Sequence, residues 1–294
     1  IVSPINRPTT EFFHRKPTDG ALGLGVGLEI VRKTVEAHAG TITARNLARG
    51  GAEFTINLHD GSEEQVSIVV VHKDRPEYLN ICLQSIAVTS FNNNYELIVV
   101  DNHSGQESQD YLDSIGDDIK VVKCDRNYYW AVAANKGAQV ADRNSKYLIF
   151  LHADIVVTNP AWIDLLINVA ESQNSGMVGV ELQSYFMQNQ KVDFVQEYCV
   201  LFTRECWEKI GPWQAEYVPN AKPGEEFKGL PQIGTSFIMT MKAQMAGFKP
   251  QVMRNPILHH YRIFSLDINE YEQLTERAMT TIPKLLRDLQ TQAV

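Results

Sequence analysis

The stretch YLIFLHADIVVTNPAWIDLL, residues 147–166, decides the fold because it joins an apolar strand to polar side chains and a helix start. Its first five residues are apolar without alternation, which is typical of a strand covered on both faces. His152 and Asp154 follow at once, and Asn159 with Pro160 suits the beginning of a helix. The segment therefore predicts a buried parallel strand with polar residues at its carboxyl end.

Three apolar runs upstream have the same character. They are VSIVVV from residue 66, ELIVV from residue 96 and IKVVKC from residue 119. A helix pattern separates the first two runs, and Asp74 and Pro76 match the N-cap and first-turn preferences of that helix. This alternation predicts an open α/β sheet, in which ligands bind beyond the carboxyl ends of the strands.

Acidic and imidazole side chains recur where these predicted strands end. His72 and Asp74 follow the first run, Asp101 the second and Asp125 the third. Aspartate is also a common turn residue, so that interpretation stays open for Asp74 and Asp125. Several carboxylates at one sheet edge favour a divalent cation, Mn²⁺ or Mg²⁺, which proteins bind together with substrate phosphates.

Composition excludes some classes of partner. The 294 residues are 44% hydrophobic and carry a formal net charge of −8, which suits a globular core and argues against nucleic acid as a partner. The four cysteines have no metal-site spacing and are expected to be core residues in a reducing compartment. No apolar run reaches about 18 residues, so we expect no membrane span and a cytoplasmic location.

Four motifs, in this order, resemble the family 2 glycosyltransferases with the GT-A fold, over residues 66–262. They are VSIVVVHKDRPEYLNICLQSI, ELIVVDNHS, NYYWAVAANKGAQVA and the segment at 147–166. The resemblance implies a Rossmann-like, mixed and mostly parallel sheet flanked by helices. It also implies transfer of a sugar, with inversion, from a nucleotide-diphosphate donor to the hydroxyl of a saccharide or other acceptor.

The same resemblance implies a set of site residues. Asp154 would bind the metal, together with His259 or His260 from the segment PILHHYR. His152 stands where the family carries a first aspartate, so at most one carboxylate is expected there. The residues implied for nucleotide-sugar binding are His72, Asp74, Asp101, Asn102 and Asn135.

The general base is harder to assign. The family carries an acidic motif upstream of AGF at 246–248, but Thr235 and Ser236 occupy that place in this chain. Glu226 or Glu225 is therefore the expected catalytic base, since a base must reach the acceptor hydroxyl. If both are only solvated loop charges, the chain is a catalytically weak transferase-like binding or regulatory module.

The glycine-rich stretch DGALGLGVGLEIV at residues 19–31 belongs to a different pattern. Residues 12–58 resemble the C-terminal part of the ATP-binding domain of sensor histidine kinases, without its upstream half. We therefore expect a structural remnant at residues 1–60, and an ATP-binding signalling protein is the third interpretation. Residues 61–265 would form the transferase domain, and residues 266–294 a helical tail that packs on the sheet or on a second copy in a homo-oligomer.

Overall fold

The computed structural model describes residues 28, 31–33, 35, 41–47, 52–57, 65–90, 93–187, 190–214, 232–254 and 257–262. The predictions for Glu225, Glu226, the four glycines of the glycine-rich stretch and the tail at 266–294 lie outside these residues. The domain boundaries at 60 and 265 therefore stay predictions.

Thirteen strands and six helices have bounds within the described residues, and residues 28, 31–33 and 35 are helical as well. The strands are β1 (Thr41–Asn46), β2 (Ala52–Asn57), β3 (Val66–His72), β4 (Tyr95–Asp101), β5 (Ile119–Lys123), β6 (Tyr147–His152), β7 (Ile155–Val157), β8 (Met177–Gly179), β9 (Leu182–Met187), β10 (Gln190–Val195), β11 (Cys199–Thr203), β12 (Gln251–Val252) and β13 (Leu258–His260). The helices are α1 (Pro76–Thr89), α2 (Gln106–Ser114), α3 (Tyr129–Val140), α4 (Trp162–Ser172), α5 (Arg204–Ile210) and α6 (Gln232–Met245).

A seven-stranded sheet forms the centre, in the order β12-β8-β11-β6-β3-β4-β5. Strands β6, β3, β4 and β5 are mutually parallel, β12 is parallel to β8, and β11 lies antiparallel between β6 and β8. The pairs β1–β2, β9–β10 and β7–β13 form separate two-stranded antiparallel sheets. The predicted mixed, mostly parallel sheet flanked by helices is confirmed, including the four apolar runs as strands.

Apolar side chains cover both faces of this sheet. Successive strand residues point to opposite faces, so Ile68 and Val70 join one core layer while Val69 and Val71 join the other. Helices α1 and α4 close the first layer, and α3 and α6 contribute to the second. All four cysteines are free and buried, as expected for core residues.

The strand register determines what meets at the carboxyl edge. His72 at the end of β3 is paired with Asp101 at the end of β4, and Val71 is paired with His152 at the end of β6. Polar residues far apart in sequence therefore end neighbouring strands at the same edge. Among the described helices none is both long and apolar enough to span a bilayer.

The capping prediction for the first helix is wrong. The N-cap of α1 is Arg75, in a left-handed conformation and without a side-chain capping bond, although Pro76 does begin the helix. The Asp74 Oδ1 atom instead accepts a hydrogen bond from the backbone N–H of Gly105, at 2.8 Å. Asp74 therefore joins the loop after β3 to the loop after β4, because the parallel strands bring these loops together.

Candidate metal and nucleotide site

In the part of the chain that the structure describes, one group of metal-ligating side chains comes together. It contains His152, Asp154 and His260, whose ligand atoms all lie within 4.8 Å of one another. The Nε2 atom of His260 lies 3.3 Å from Oδ1 of Asp154. We call these three residues the His-Asp-His cluster.

Two backbone features assemble the cluster. His152 ends β6, and the chain turns through Asp154 before β7 begins. Strand β13 then pairs with β7 so that His260 is opposite Ile155, next to Asp154. Alternation along β13 turns the neighbouring His259 outward, where it is exposed. Of the two histidines that the sequence left open, the structure brings His260 to Asp154.

The cluster is shielded from water. The side chains of His152, Asp154 and His260 are 13%, 13% and 16% exposed. Burial lowers the pKa of His152 to about 4, so its imidazole is neutral at physiological pH. Neutral imidazole is the form that ligates metals.

Two buried ring nitrogens in the cluster, Nε2 of His152 and Nδ1 of His260, have no hydrogen-bond partner. Buried polar atoms are almost always paired, so the unpartnered Nε2 of His152 is consistent with a ligand at the cluster, whereas in His260 the nitrogen that faces Asp154 is Nε2 and not Nδ1. Two imidazoles and one carboxylate form a mixed nitrogen and oxygen donor set, which suits a divalent transition metal better than Mg²⁺. The residues present therefore fit a divalent cation.

Tyr198 forms one wall of the cluster. Its ring stacks on His260 with ring centroids 4.3 Å apart, and its hydroxyl donates to Oε2 of Glu181 at 2.7 Å. Arg262 forms an ion pair with the same carboxylate, at 3.3 Å. The stacked ring of Tyr198 therefore supports the orientation of His260, and the hydrogen bond to Glu181 holds Tyr198 in place.

A second carboxylate, Glu197, lies beneath the cluster in the turn between β10 and β11. It is only 3% exposed, and its Oε1 atom lies 3.9 Å from Nε2 of His152. The hydroxyl of Ser236 in α6 donates to its Oε2 atom in a short hydrogen bond. Burial raises the pKa of Glu197 above its usual value. Sequence reasoning missed this residue, and the available signal was one acid inside the mostly apolar stretch FVQEYCVLF at 194–202.

Asp101 has a different environment from Asp154. It is fully buried, and its Oδ1 atom accepts from the backbone N–H of Ser104 at 3.0 Å. Its Oδ2 atom accepts a short hydrogen bond from the side chain of Gln109 in α2. Both oxygens therefore hold the loop that follows β4, and a contact between Asp101 and a nucleotide base stays a prediction.

His72 and Asp74 lie on the same loop system. His72 is 1% exposed, its Nε2 atom is 3.1 Å from the hydroxyl of Ser108, and burial lowers its pKa to about 4. The backbone N–H of Asp74 donates to the hydroxyl of Ser104, at 2.8 Å. His72 is thus an interior support, whereas Asp74, with its side chain 49% exposed, faces solvent beside the loop.

The two predicted asparagines, Asn102 and Asn135, form hydrogen bonds with backbone groups, and Asn102 also bonds to a neighbouring side-chain amide. Asn102 accepts from the N–H of Tyr128 at 2.8 Å and donates to the side chain of Asn127 at 2.9 Å. Asn135 accepts from the N–H of Trp213 at 2.8 Å and donates to its carbonyl at 2.9 Å. Both residues fix segments that border the sheet edge.

Fold and geometry define a class: a mixed α/β chain of the GT-A type with a cluster of metal-ligating residue types at the carboxyl edge of its sheet. A family model described as Glycosyl transferase family 2 matches residues 67–228, more than half of the chain. The chain belongs to glycosyl transferase family 2.

Two curated relatives are similar to parts of this chain. The chain is 25% identical to the O-antigen biosynthesis protein RfbC of Myxococcus xanthus over 192 residues, 61% of this chain and 15% of that protein. It is also 50% identical, over 36 residues, to the Hybrid signal transduction histidine kinase D of Dictyostelium discoideum, covering 12% of this chain and 2% of that protein. The second match agrees with a short histidine kinase fragment. The chain thus spans a small part of each of these curated relatives.

Among solved structures, the fold is similar to that of the mannosyltransferase PcManGT from Pyrobaculum calidifontis in complex with GDP-Man and Mn²⁺. The TM-score is 0.50 at 13% identity, covering 72% of this chain and 60% of that chain. At this identity the likeness concerns the fold.

Proposed function

We propose that this glycosyltransferase moves a sugar from a nucleotide-diphosphate donor to an acceptor hydroxyl, with inversion at the anomeric carbon. The observation that carries the proposal is the His-Asp-His cluster at the carboxyl edge of the sheet, because ligands of open α/β folds bind at that edge. The structurally similar mannosyltransferase was solved in complex with GDP-Man and Mn²⁺, which supports a nucleotide sugar and a divalent cation.

His152, Asp154 and His260 would hold the cation. A divalent cation there would neutralise charge that develops on the leaving diphosphate, which is where a glycosyl transfer needs stabilisation. The low exposure of the three side chains strengthens these electrostatic interactions, because less water screens them. Mn²⁺ suits the two imidazoles better than Mg²⁺ does.

The nucleoside would lie against the loops after β3 and β4. Asp74 offers an exposed carboxylate there, while His72, Asp101 and Asn102 hold the loops in shape through hydrogen bonds within the chain. Asn135 would act through Trp213, whose backbone it binds. Specificity for the base would then depend on a surface that these buried side chains preorganise.

The acceptor hydroxyl would be activated by Glu226 or Glu225. In the proposed step, the hydroxyl proton passes to the glutamate carboxylate, the acceptor oxygen bonds to the anomeric carbon, and the bond from that carbon to the diphosphate oxygen breaks. Attack opposite the leaving diphosphate inverts the configuration. The name of the Myxococcus relative, an O-antigen biosynthesis protein, supports a saccharide acceptor.

A binding or regulatory module with weak catalysis is the second candidate. It is favoured by α6, where Thr235 and Ser236 are both 0% exposed and offer no carboxylate to an acceptor. Such a module would bind nucleotide sugars without turnover.

The deciding experiment measures nucleoside diphosphate release from UDP-, GDP- and dTDP-sugars with Mn²⁺, with and without added saccharides. We expect turnover with one donor class, reduced at least about 100-fold in Asp154→Ala, since metal-site substitutions have effects of this order. Asp118→Ala is the matched control, because Asp118 is exposed and precedes β5 at the opposite edge. Donor binding without turnover would support the module, and the absence of both would reject the proposal.

A further inference from the structure

We propose that a groove between α4 and the edge strand β12 is a second binding site, which takes an acidic saccharide. The volume of the groove is about 420 Å³, and this lies within the range of small-molecule sites. None of the described residues that line it belongs to the His-Asp-His cluster. The inference goes beyond the proposed function, because binding at this groove can be measured whether or not sugar transfer takes place.

Polar side chains form the mouth of the groove. Three of them are amides: Asn168 and Gln173 come from α4 and its C-cap, and Gln251 comes from β12. In the described part of the chain, none of these three side-chain amides forms a hydrogen bond within the protein. An amide offers both donors and an acceptor, as a sugar hydroxyl also does, so the three amides match the hydroxyl groups of a saccharide.

Arg254 is the single charged residue among the described residues that line the groove. Its side chain is exposed and takes part in no hydrogen bond or ion pair with the rest of the described chain. A guanidinium presents its N–H groups in a fork that matches a carboxylate. Because the described lining contains no acid, a carboxylate on the saccharide would meet no like charge there. The expected ligand is therefore a saccharide with acidic units.

The floor of the groove argues against two other ligands. It consists of Leu165, Val169, Val252 and Met253, and none of the described lining residues is aromatic. A nucleobase would thus lack the ring on which bases usually stack. Strand β12 has only two residues, which is too short to pair with a peptide strand. A saccharide meets both limits, since its ring carbons can lie on the apolar floor while its hydroxyls reach the amides.

The groove also lies within reach of the cluster. Arg254 precedes His260 by six residues, so their Cα atoms are at most about 22 Å apart. A saccharide chain held in the groove would raise the local concentration of its free end near the cluster. Occupation of the groove would consequently favour long acidic saccharides over short neutral ones.

The test measures saccharide binding to the full chain by ligand-observed NMR titration, without nucleotide or metal. The probes are trigalacturonic acid, whose units carry carboxylates, and the neutral trisaccharide maltotriose. We expect a Kd of about 1 mM or below for the acidic probe and at least about fivefold weaker binding of the neutral one. Arg254→Ala should raise the Kd of the acidic probe about threefold to tenfold, because the pair is charge-assisted but partly exposed.

Lys249→Ala is the matched control for charge. Lys249 is exposed, lies five residues before Arg254 and does not line the groove. The substitution removes the same charge, so the Kd of the acidic probe should stay within about twofold of wild type. Equal effects of the two substitutions would show that general charge attracts the probe, and would overturn the inference.

Ser172→Trp tests the groove without changing charge. Ser172 is exposed at the end of α4 and lines the groove, so an indole there can fill the space without disturbing the core. The variant should keep the circular dichroism spectrum of wild type and bind the acidic probe at least about tenfold more weakly, because the indole occupies the place of the ligand. Undiminished binding by the folded variant would place the probe elsewhere and reject the groove.

The remaining outcomes separate this inference from the proposed function. The inference fails if the wild type binds neither probe, or binds maltotriose as tightly as the acidic probe. Asp154→Ala should bind the acidic probe as wild type does, and loss of binding in that variant would place the saccharide at the cluster instead. If the acidic probe binds as expected but no nucleotide sugar is turned over, the proposed transfer fails and the groove stands.

Discussion

The hydrogen bonds of Asn135 lead to a prediction about stability and donor binding. Its side-chain amide accepts from the backbone N–H of Trp213 at 2.8 Å and donates to the carbonyl of Trp213 at 2.9 Å. Trp213 is 1% exposed and packs edge-to-face on Trp130, with ring centroids 4.7 Å apart. The perturbation is Asn135→Ala, which removes both bonds but leaves the helix backbone intact.

The expected loss follows from these two bonds. Each bond contributes about 1 kcal/mol net, and a buried backbone group left without a partner costs about 1 to 3 kcal/mol. Because water can reach part of this site once the amide is removed, we expect Asn135→Ala to lower the free energy of unfolding by about 3 kcal/mol. The loss is about one fifth to three fifths of the stability of a typical domain.

Urea denaturation, followed by tryptophan fluorescence, measures this loss. Gln84→Ala is the control, because the Gln84 amide bonds to Asn80 on the exposed side of α1 and its removal should change stability by at most about 0.5 kcal/mol. At a temperature where Asn135→Ala is folded, donor Kd should change less than about threefold. A stability loss below about 1 kcal/mol combined with a donor Kd raised tenfold would refute the structural account and make Asn135 a direct donor contact.

Two further predictions concern stability. Gly137→Ala should destabilise the protein by about 1 to 2 kcal/mol in urea denaturation, because its Cβ would lie 2.4 Å from Val69 and 2.8 Å from Val100. Gly116→Ala is the control and should be neutral, because there is open space around that position. Equal effects of the two substitutions would contradict the predicted clash at Gly137. Burial lowers the pKa of His72 from 6.5 to about 4. Between pH 6.5 and 4 the unfolded chain therefore binds more protons than the folded protein, so the free energy of unfolding falls as the pH drops through this range. Between pH 7 and 4 the wild type should lose about 3 kcal/mol more than His72→Gln, and parallel pH profiles would show that His72 is not buried as described.

Much of the fold is encoded locally. The strands β3, β4 and β6 are continuous apolar runs, and such runs are stable only where both faces of a strand are covered. The positions of His72, Asp101 and His152 at strand ends are visible in the same runs. The common edge follows from parallel pairing, so the approximate location of the site was predictable from sequence.

The identity of the cluster was only partly predictable. Alternation in a short strand guarantees that His259 and His260 face opposite sides, but which one reaches Asp154 depends on the register of β13 against β7. His152 was treated as the loss of a carboxylate, yet the structure brings its ring nitrogen into the cluster. The pairing register of β13 against β7 thus decided which histidine lies beside Asp154 in the cluster.

Taken alone, the sequence determined the α/β alternation, the family motifs and the polar edge, because these depend on neighbours within one element or on parallel pairing. Tertiary structure decided which polar side chains are consumed internally and which remain available. Asp101 and Asn135 are occupied by hydrogen bonds within the chain, whereas Glu197 is buried 3.9 Å from the ring nitrogen Nε2 of His152. The physical reason is that burial and hydrogen-bond partners come from segments far apart in sequence, so no local pattern can specify them.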